Sequence, residues 1–364
     1  ALDIQSGEIY GIQSKSILLA GAGFQSAWNG DGVAMGTSAN LALRSGIPLA
    51  NLEFTSMHPL TVAETALCLP LDLLGTGGIV VGADGQPMAT DDGPDALAQA
   101  IISGGGASLD LTGISRVDSP WFAGVADSLS SRCGIDYTME MIPLMPIAGF
   151  TLGGVPTDAS GNVINGSWNA PLSGLFAAGD AACSGLHGAA LNSGDLLLGA
   201  LASGSTAGTS AAEHASHSKH SASSEISIAL SNALHLHDSL LTEAGSGGAN
   251  FGTIQSSLAT TMRTHMGPER DAGGLSRAAA AIQELQETKL NITDTSPVMN
   301  TEMVSMLRTQ GLLSVASAAV SAAQAREESR GTHVRKDHPD TDANQAKHSL
   351  SGSDGTVSSL TLRS

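Results

Sequence analysis

Short apolar runs and alternating stretches dominate the first half of the chain, and longer helical periodicities dominate the second. ALDIQSGEIYGI (1–12) alternates around Ser6-Gly7 and predicts a hairpin, and SKSILLAGAG (14–23) predicts a buried strand closed by glycines. A glycine turn then leads into a helix between Asn29 and Leu43, and LANLEF (49–54) predicts another strand. Residues 59–145 are mixed: GTGGIVVGADGQPM is a turn and strand, PDALAQAII a helix, ASLDLTGI a strand. GVPTDASGNVI (154–164) predicts a hairpin by its Asp-Ala-Ser-Gly centre, and LSGLFAAGD (172–180) a strand ending in a glycine turn. The Ser/Ala/His-rich stretch 203–224 changes the composition and marks the main domain boundary. Three helices follow. The first runs from about Glu225 to Leu241. The second carries Leu275, Ile282 and Leu285 on one face, the third Met303, Met306, Leu307, Leu313 and Val320. TVSSLTLRS predicts a last strand, and no internal repeat is evident.

Composition adds limits. The chain has 364 residues, enough to bury a substantial core, but aromatics are 3% against 44 glycines, so small side chains carry much of the packing. A net charge of −18 argues against binding nucleic acid or an anionic membrane surface. Cys68, Cys133 and Cys183 form no CxxC pair, which leaves no disulfide framework or zinc site and suits a reducing interior. No apolar run approaches the ~20 residues of a membrane span, and no signal peptide is visible.

The stretch GLFAAGDAACSGLHGAALNSGDLLLGAL (174–201) reads as strand, Gly-Asp, glycine-rich bend and apolar helix. Such a bend lets backbone amides approach an extended ligand, with a carboxylate for a ribose or ribityl hydroxyl; tight helix–sheet packing would produce it equally well. LLAGAG (18–23) also ends in glycines, but Phe-Gln-Ser follows Gly21 and Gly23, so it is no full dinucleotide fingerprint. Asp31 in NGDG is the apex of a turn, an Asx turn on its own terms. His58 ends an apolar strand before a proline, where a histidine is ordinarily a structural hydrogen-bonder. HASHSKH spaces His214, His217 and His220 three apart, too little to predict a metal site without convergent ligands. The alternating charges of REESRGTHVRKDHP suit salt-bridged side chains, in which Arg330 and Arg335 fix a contact through bidentate pairs.

In this order the pieces resemble the flavoprotein subunits of succinate dehydrogenase and fumarate reductase, a family that includes L-aspartate oxidase. AGAG…NGDGVAMG…LANLEFTSMHP is similar to the family's Thr-Gly-Gly, Thr-Gly-Asp-Gly and Phe-His-Pro-Thr run. LGTGGIVVGADGQPM is similar to its Arg-Gly-Glu-Gly-Gly segment, FTLGGVPTD to His-Tyr-Thr-Met-Gly-Gly, and AREESRGTHVRKDHP to the signature of its helical domain. GLFAAGD…GLHGA matches the second flavin motif without a gap. The resemblance implies an α/β fold: an FAD-binding domain (1–58 and 146–212) interrupted by an α+β capping domain (59–145), then a helical domain (213–342) and a tail with the last strand (343–364). It implies FAD as cofactor, lying extended in the first domain, with a small-molecule substrate between flavin and cap. It further implies hydride transfer between a substrate carbon and flavin N5, an iron–sulfur partner subunit, and a cytoplasmic location, peripheral on the inner face of a membrane through partner subunits. By position the cofactor residues are Gly21, Gly23, Asp31, Gly179, Asp180, Leu196 and Leu197, and His58 is the substrate residue.

Two departures qualify that picture. The family's N-terminal Gly-x-Gly-x-x-Gly strand is absent from this sequence, so the FAD-binding domain is partial and the chain is expected to be a fragment of a longer protein. The substrate pocket has also lost its charges: by the family's pattern Pro94 replaces the proton-transfer arginine, Gly149 the substrate histidine and Leu191 the substrate arginine. Leu74 replaces another arginine, and Pro70-Leu71 a Thr-Glu pair. A dicarboxylate there would forfeit charge-assisted hydrogen bonds of ~1.5–3 kcal/mol each, so the substrate is expected not to be a standard dicarboxylate. The other expectation is a non-catalytic paralogue acting as an assembly or structural subunit.

Overall fold

The computed structural model describes the chain apart from residues 66, 115–120, 192–193, 221, 243–246 and 363–364. The chain folds as two compact units, one of Ala1–Phe54 with Thr151–Ser364, the other Thr55–Phe150. The first pass through the larger unit contains β1 (Ile17–Leu19), α1 (Ser26–Asn29), α2 (Thr37–Arg44) and β2 (Leu49–Ala50). The smaller unit follows with β3 (Thr55–His58), α3 (Asp72–Gly75), β4 (Ile79–Gly82), α4 (Pro94–Ser103), β5 (Ala107–Asp110), α5 (Phe122–Ser128) and β6 (Ile142–Leu144). β7 (Ile147–Thr151) leads back to β8 (Val155–Pro156), β9 (Asn162–Ile164), β10 (Pro171–Ala177), β11 (Ala182–Cys183) and α6 (Asp195–His217). The remainder comprises α7 (Ser223–Thr242), α8 (Phe251–His265), β12 (Glu269–Arg270), α9 (Ala272–Glu287), α10 (Thr301–Ala325), β13 (Val334–Arg335), β14 (Lys347–Ser351) and β15 (Val357–Thr361).

In the larger unit β1 pairs with β10 in parallel, Ile17 opposite Leu175, and β9 joins β10 antiparallel. Contrary to the expected buried strand, Ile17 is 54% exposed, because β1 lies at the sheet edge. The hairpin at 154–164 forms as expected: Thr157 bridges Val163, and the Asp158 carboxylate accepts the amides of Ser160 and Asn162 across the turn. β14 lies between β15 and β2, which seats the chain's last strand.

Among the described residues four α-helices, not three, follow the Ser/Ala/His stretch. The additional one is α8, capped by Asn250, whose side chain accepts from the Thr253 amide at 2.8 Å, and buried through Ile254, Leu258 and Met262 at helical spacing. The boundary expected after residue 212 lies inside α6, a 23-residue helix. Ser203 and Ser216 turn their hydroxyls back on the helix, to the Gly199 and Glu213 carbonyls, so a polar composition need not break it. α10 is long and apolar enough by length and composition to cross a membrane, against the expectation of no such run. Yet 61% of its apolar window is buried, and it packs on α9, α8 and α2 as the central helix of the unit. Its buried face is rich in alanine, and Gly311 lets it approach Asn40 of α2 so closely that a methyl group would collide with the amide. This is how a chain poor in aromatics reaches core density.

The smaller unit is built on the antiparallel sheet β4–β5–β6. Leu60, Leu73, Leu97, Ile101, Leu109 and Phe122 form its core, with the Phe122 and Tyr137 rings edge to face at 4.9 Å. β3 pairs with β7.

Candidate functional site

In the larger unit, the apolar strand β10 ends in Phe176-Ala177-Ala178, all buried, and the chain then turns at Gly179. Gly179 has φ +61°, a left-handed conformation that side chains resist, and a Cβ there would meet only Ala200 Cβ at 3.9 Å. Its amide donates to Ser203 Oγ of α6 at 3.0 Å, which ties the turn to the helix. Asp180 follows half-buried, and burial raises its pKa against the opposing pull of its own backbone amide. An open glycine beside a partly desolvated carboxylate suits a hydroxyl-bearing chain such as the ribityl or ribose of FAD, which gains a charge-assisted hydrogen bond there.

The other expected cofactor residues differ from this pair. At Gly21 a Cβ would collide with Ser38 Oγ, whose hydroxyl accepts the Gly21 amide at 3.2 Å. At Gly23 it would collide with the Thr151 and Gln25 side chains. These glycines admit neighbouring protein side chains. Asp31 is exposed, and its Oδ1 accepts from Ser26 Oγ at 2.5 Å and the Val33 amide at 3.0 Å, the geometry of an Asx turn. Leu196 and Leu197 lie in the first turn of α6, 38% and 70% exposed. Leu191 is half-buried in the preceding loop, whose Asn192 and Ser193 lie outside the described residues.

In the smaller unit, His58 closes β3. Its imidazole is neutral-favouring because burial lowers its pKa, and Nδ1 is buried with no hydrogen-bond partner among the described residues. Across the β3–β7 pair, a Cβ on Gly149 would lie 3.1 Å from His58 Cβ, so the glycine admits the histidine at close range. Pro94 is the first residue of α4, where its fixed φ and missing amide suit a helix start. The next residue, Asp95, was not singled out in the sequence. Its carboxylate accepts from the Met57 amide at 2.7 Å and from Ser56 Oγ at 3.0 Å to each oxygen. Burial raises its pKa, and the Met57 and Ser56 hydrogen bonds pull it back. Leu71 and Leu74 pack on the unit's core, while Pro70 is exposed.

A buried ionic cluster in the larger unit was legible only in part. Arg330 does clasp Glu328 with two nitrogens, at 2.8 and 3.0 Å, and Arg335 clasps Asp337 at 2.8 Å twice. Both pairs are local in sequence, however. The long-range link is Arg326, whose Nε donates to Glu53 Oε1 at 2.7 Å and whose Nη1 donates to Glu328 at 2.9 Å. Ser349 Oγ donates to the other oxygen of Glu53, and Arg270 Nη1 donates to the Glu53 carbonyl and to His333 Nδ1. Burial and the surrounding guanidinium charges drive His333 down to about 2, so it stays neutral. The sequence signal for this cluster was the charge density of 326–337; nothing local marks Glu53 as its partner.

The three spaced histidines do not converge. His214 meets Ser16 and Ser173 hydroxyls on the sheet, whereas His217 bonds Ser216 and the Glu213 carbonyl. No group of metal-ligating side chains occurs among the described residues.

Comparison with known proteins agrees with the architecture. Residues 3–197 match the FAD binding domain model, and residues 255–363 match the model of the fumarate reductase flavoprotein C-terminus. The chain is 28% identical to the succinate dehydrogenase flavoprotein subunit of Rickettsia bellii over 97% of its length. It is 30% identical to the fumarate reductase flavoprotein subunit of Mycobacterium tuberculosis over 94%. It spans 64% of the length of each of these relatives. Among solved structures, a mutant E. coli quinol fumarate reductase FrdA superposes with TM-score 0.84 at 25% identity, covering 95% of this chain and 65% of that one. A quinol-fumarate reductase with menaquinol molecules superposes with TM-score 0.90 at 24% identity, covering 100% and 69%. The chain thus belongs to the succinate dehydrogenase/fumarate reductase flavoprotein family, whose cofactor is FAD.

Proposed function

We propose that the chain serves an FAD-dependent oxidoreductase whose substrate is not a standard dicarboxylate. Bound FAD supplies hydride acceptance and donation at N5. Gly179 offers its open face to the cofactor and Asp180 its carboxylate to a hydroxyl, with Gly21, Gly23, Asp31, Leu196 and Leu197 as the further contacts of that domain. His58 receives the substrate as a neutral hydrogen-bonding group, through the Nδ1 that the protein leaves unpaired.

The observation that carries the substrate reading is the charge of the smaller unit. Residues 55–150 contain two arginines, Arg116 and Arg132, against eleven carboxylates. Field lines from such a segment repel a dianion, and the positions where the family holds arginine or histidine are proline, glycine and leucine. An iron–sulfur partner subunit, and through it a peripheral membrane location, belong to the same proposal.

The competing reading is a non-catalytic assembly subunit. It is favoured by Leu71 and Leu74, which have become packing residues of the smaller unit. A visible absorption spectrum of the protein from its complete gene, after reconstitution with FAD, separates the two. A flavin spectrum that weakens at least tenfold in affinity on Asp180→Asn supports the oxidoreductase; no uptake at excess FAD supports the assembly subunit.

A further inference from the structure

His58 lacks the usual device for orienting a functional imidazole. A ring nitrogen bonded to a carboxylate or carbonyl fixes tautomer and angle; here Nδ1 has no such partner among the described residues. The ring's placement then depends on the packing around it and on the backbone that carries it. That backbone is the end of β3. Gly149 of β7 lies so close across the pair that a Cβ on it would sit 3.1 Å from His58 Cβ and 3.3 Å from its amide nitrogen. Asp95, in the first turn of α4, binds the two residues immediately before His58, at Ser56 Oγ and the Met57 amide.

Resting on the function proposed above, we infer that Asp95 is a positioning residue: its carboxylate locks the end of β3 so that His58 presents a buried, unpaired Nδ1 to the ligand. Three features support the assignment. The carboxylate bonds this strand end through both oxygens, the Ser56 hydroxyl being shared between them and the Met57 amide held by one. A mere helix cap would instead accept amides of its own helix, yet α4 has no side-chain cap and Asp95 reaches 38 and 39 residues back along the chain. Keeping a carboxylate where burial opposes its charge also has a cost that a solvent-facing cap would avoid. The carboxylate thus holds β3 at two consecutive residues, at a side chain and at the backbone, immediately before His58.

The test needs neither flavin nor substrate, which separates its failure from failure of the oxidoreductase proposal. In the full-length protein, the His58 ring is titrated by NMR and exchange of the Met57 amide is measured, in wild type, Asp95→Ala, Asp95→Asn and Ser56→Ala. Asp95→Ala is expected to speed Met57 exchange about tenfold or more, the equivalent of one lost hydrogen bond of ~1.4 kcal/mol. It should also move the His58 midpoint upward by about half a pH unit or more as the ring gains solvent. Asp95→Asn keeps an acceptor oxygen and should restore most of both properties. Ser56→Ala removes one donor and should give a smaller shift of the same sign. Faster Met57 exchange with an unmoved His58 midpoint would overturn the proposal, since the clamp would not reach the ring. If Asp95→Ala fails to fold, unchanged His58 signals in both Asp95→Asn and Ser56→Ala, with Met57 exchange altered, overturn it equally.

Discussion

Arg326→Met is the most informative perturbation of the larger unit. The guanidinium is buried and makes four contacts through its nitrogens: Glu53, Glu328, and the carbonyls of Gln345 and Lys347. It also lies 5.0 Å from the centroid of the Phe54 ring. Methionine nearly preserves the volume, so little of the effect is a cavity. After the substitution Glu328 keeps both bonds from Arg330, whereas Glu53, fully buried, keeps only the Ser349 hydroxyl for its carboxylate. An unpaired buried carboxylate dominates the cost, about 3–5 kcal/mol. In a unit of this size that lowers Tm by roughly 6–20 °C. Urea denaturation at pH 7, followed by tryptophan fluorescence with Trp121→Phe and Trp168→Phe leaving the fully buried Trp28 as reporter, measures it. Glu53→Gln in the Arg326→Met background should recover about 2 kcal/mol or more, because the stranded charge is removed with its partner. A single-mutant loss below about 1 kcal/mol, or a coupling near zero, would refute the view that this pair holds residues 53 and 326 together.

Two further outcomes follow from the same region. His333 has its folded pKa far below the ordinary 6.5, so its contribution is full above pH 6.5 and lost as pH falls, since the unfolded chain takes up the proton first. Between pH 6.5 and 4.5 that loss reaches about 2–3 kcal/mol, with carboxylates adding their own dependence toward the lower end, and His333→Gln should make this part of the stability–pH curve shallower. Gly331 sits at φ +54° with its missing Cβ directed at the Ala189 carbonyl. Gly331→Ala should therefore cost about 2 kcal/mol or more by thermal denaturation, and Gly331→Asn no less, since the collision adds to the backbone strain. Recovery by asparagine would mean that conformation alone demands the glycine.

Much of the architecture was legible because it is locally encoded. The 154–164 hairpin carries its own Asx turn, β10 runs into a glycine whose left-handed φ the sequence anticipates, and α9 and α10 announce themselves by periodicity. α8 was missed because its threonines and serines dilute the apolar period, although Asn250 stood at its start as a cap. The polar stretch 203–224 is helical as far as His217 and again from Ser223, since composition marks solvent exposure and an exposed helix satisfies that as well as a linker does.

Residue identity alone pointed to the family's motif order and the Gly179-Asp180 turn, and it carries the expectation that the substrate charges are lost, since each is a matter of which side chain stands in a run of neighbours. Tertiary structure alone decided which groups meet. Glu53 and Arg326 are 273 positions apart, and Asp95 grips a strand end nearly forty residues earlier. The orphaned Nδ1 of His58 and the suppressed pKa of His333 likewise arise only when folding removes water from groups whose neighbours come from elsewhere in the chain. Hydrogen bonding and desolvation act across space, and a linear pattern records only neighbours along the chain.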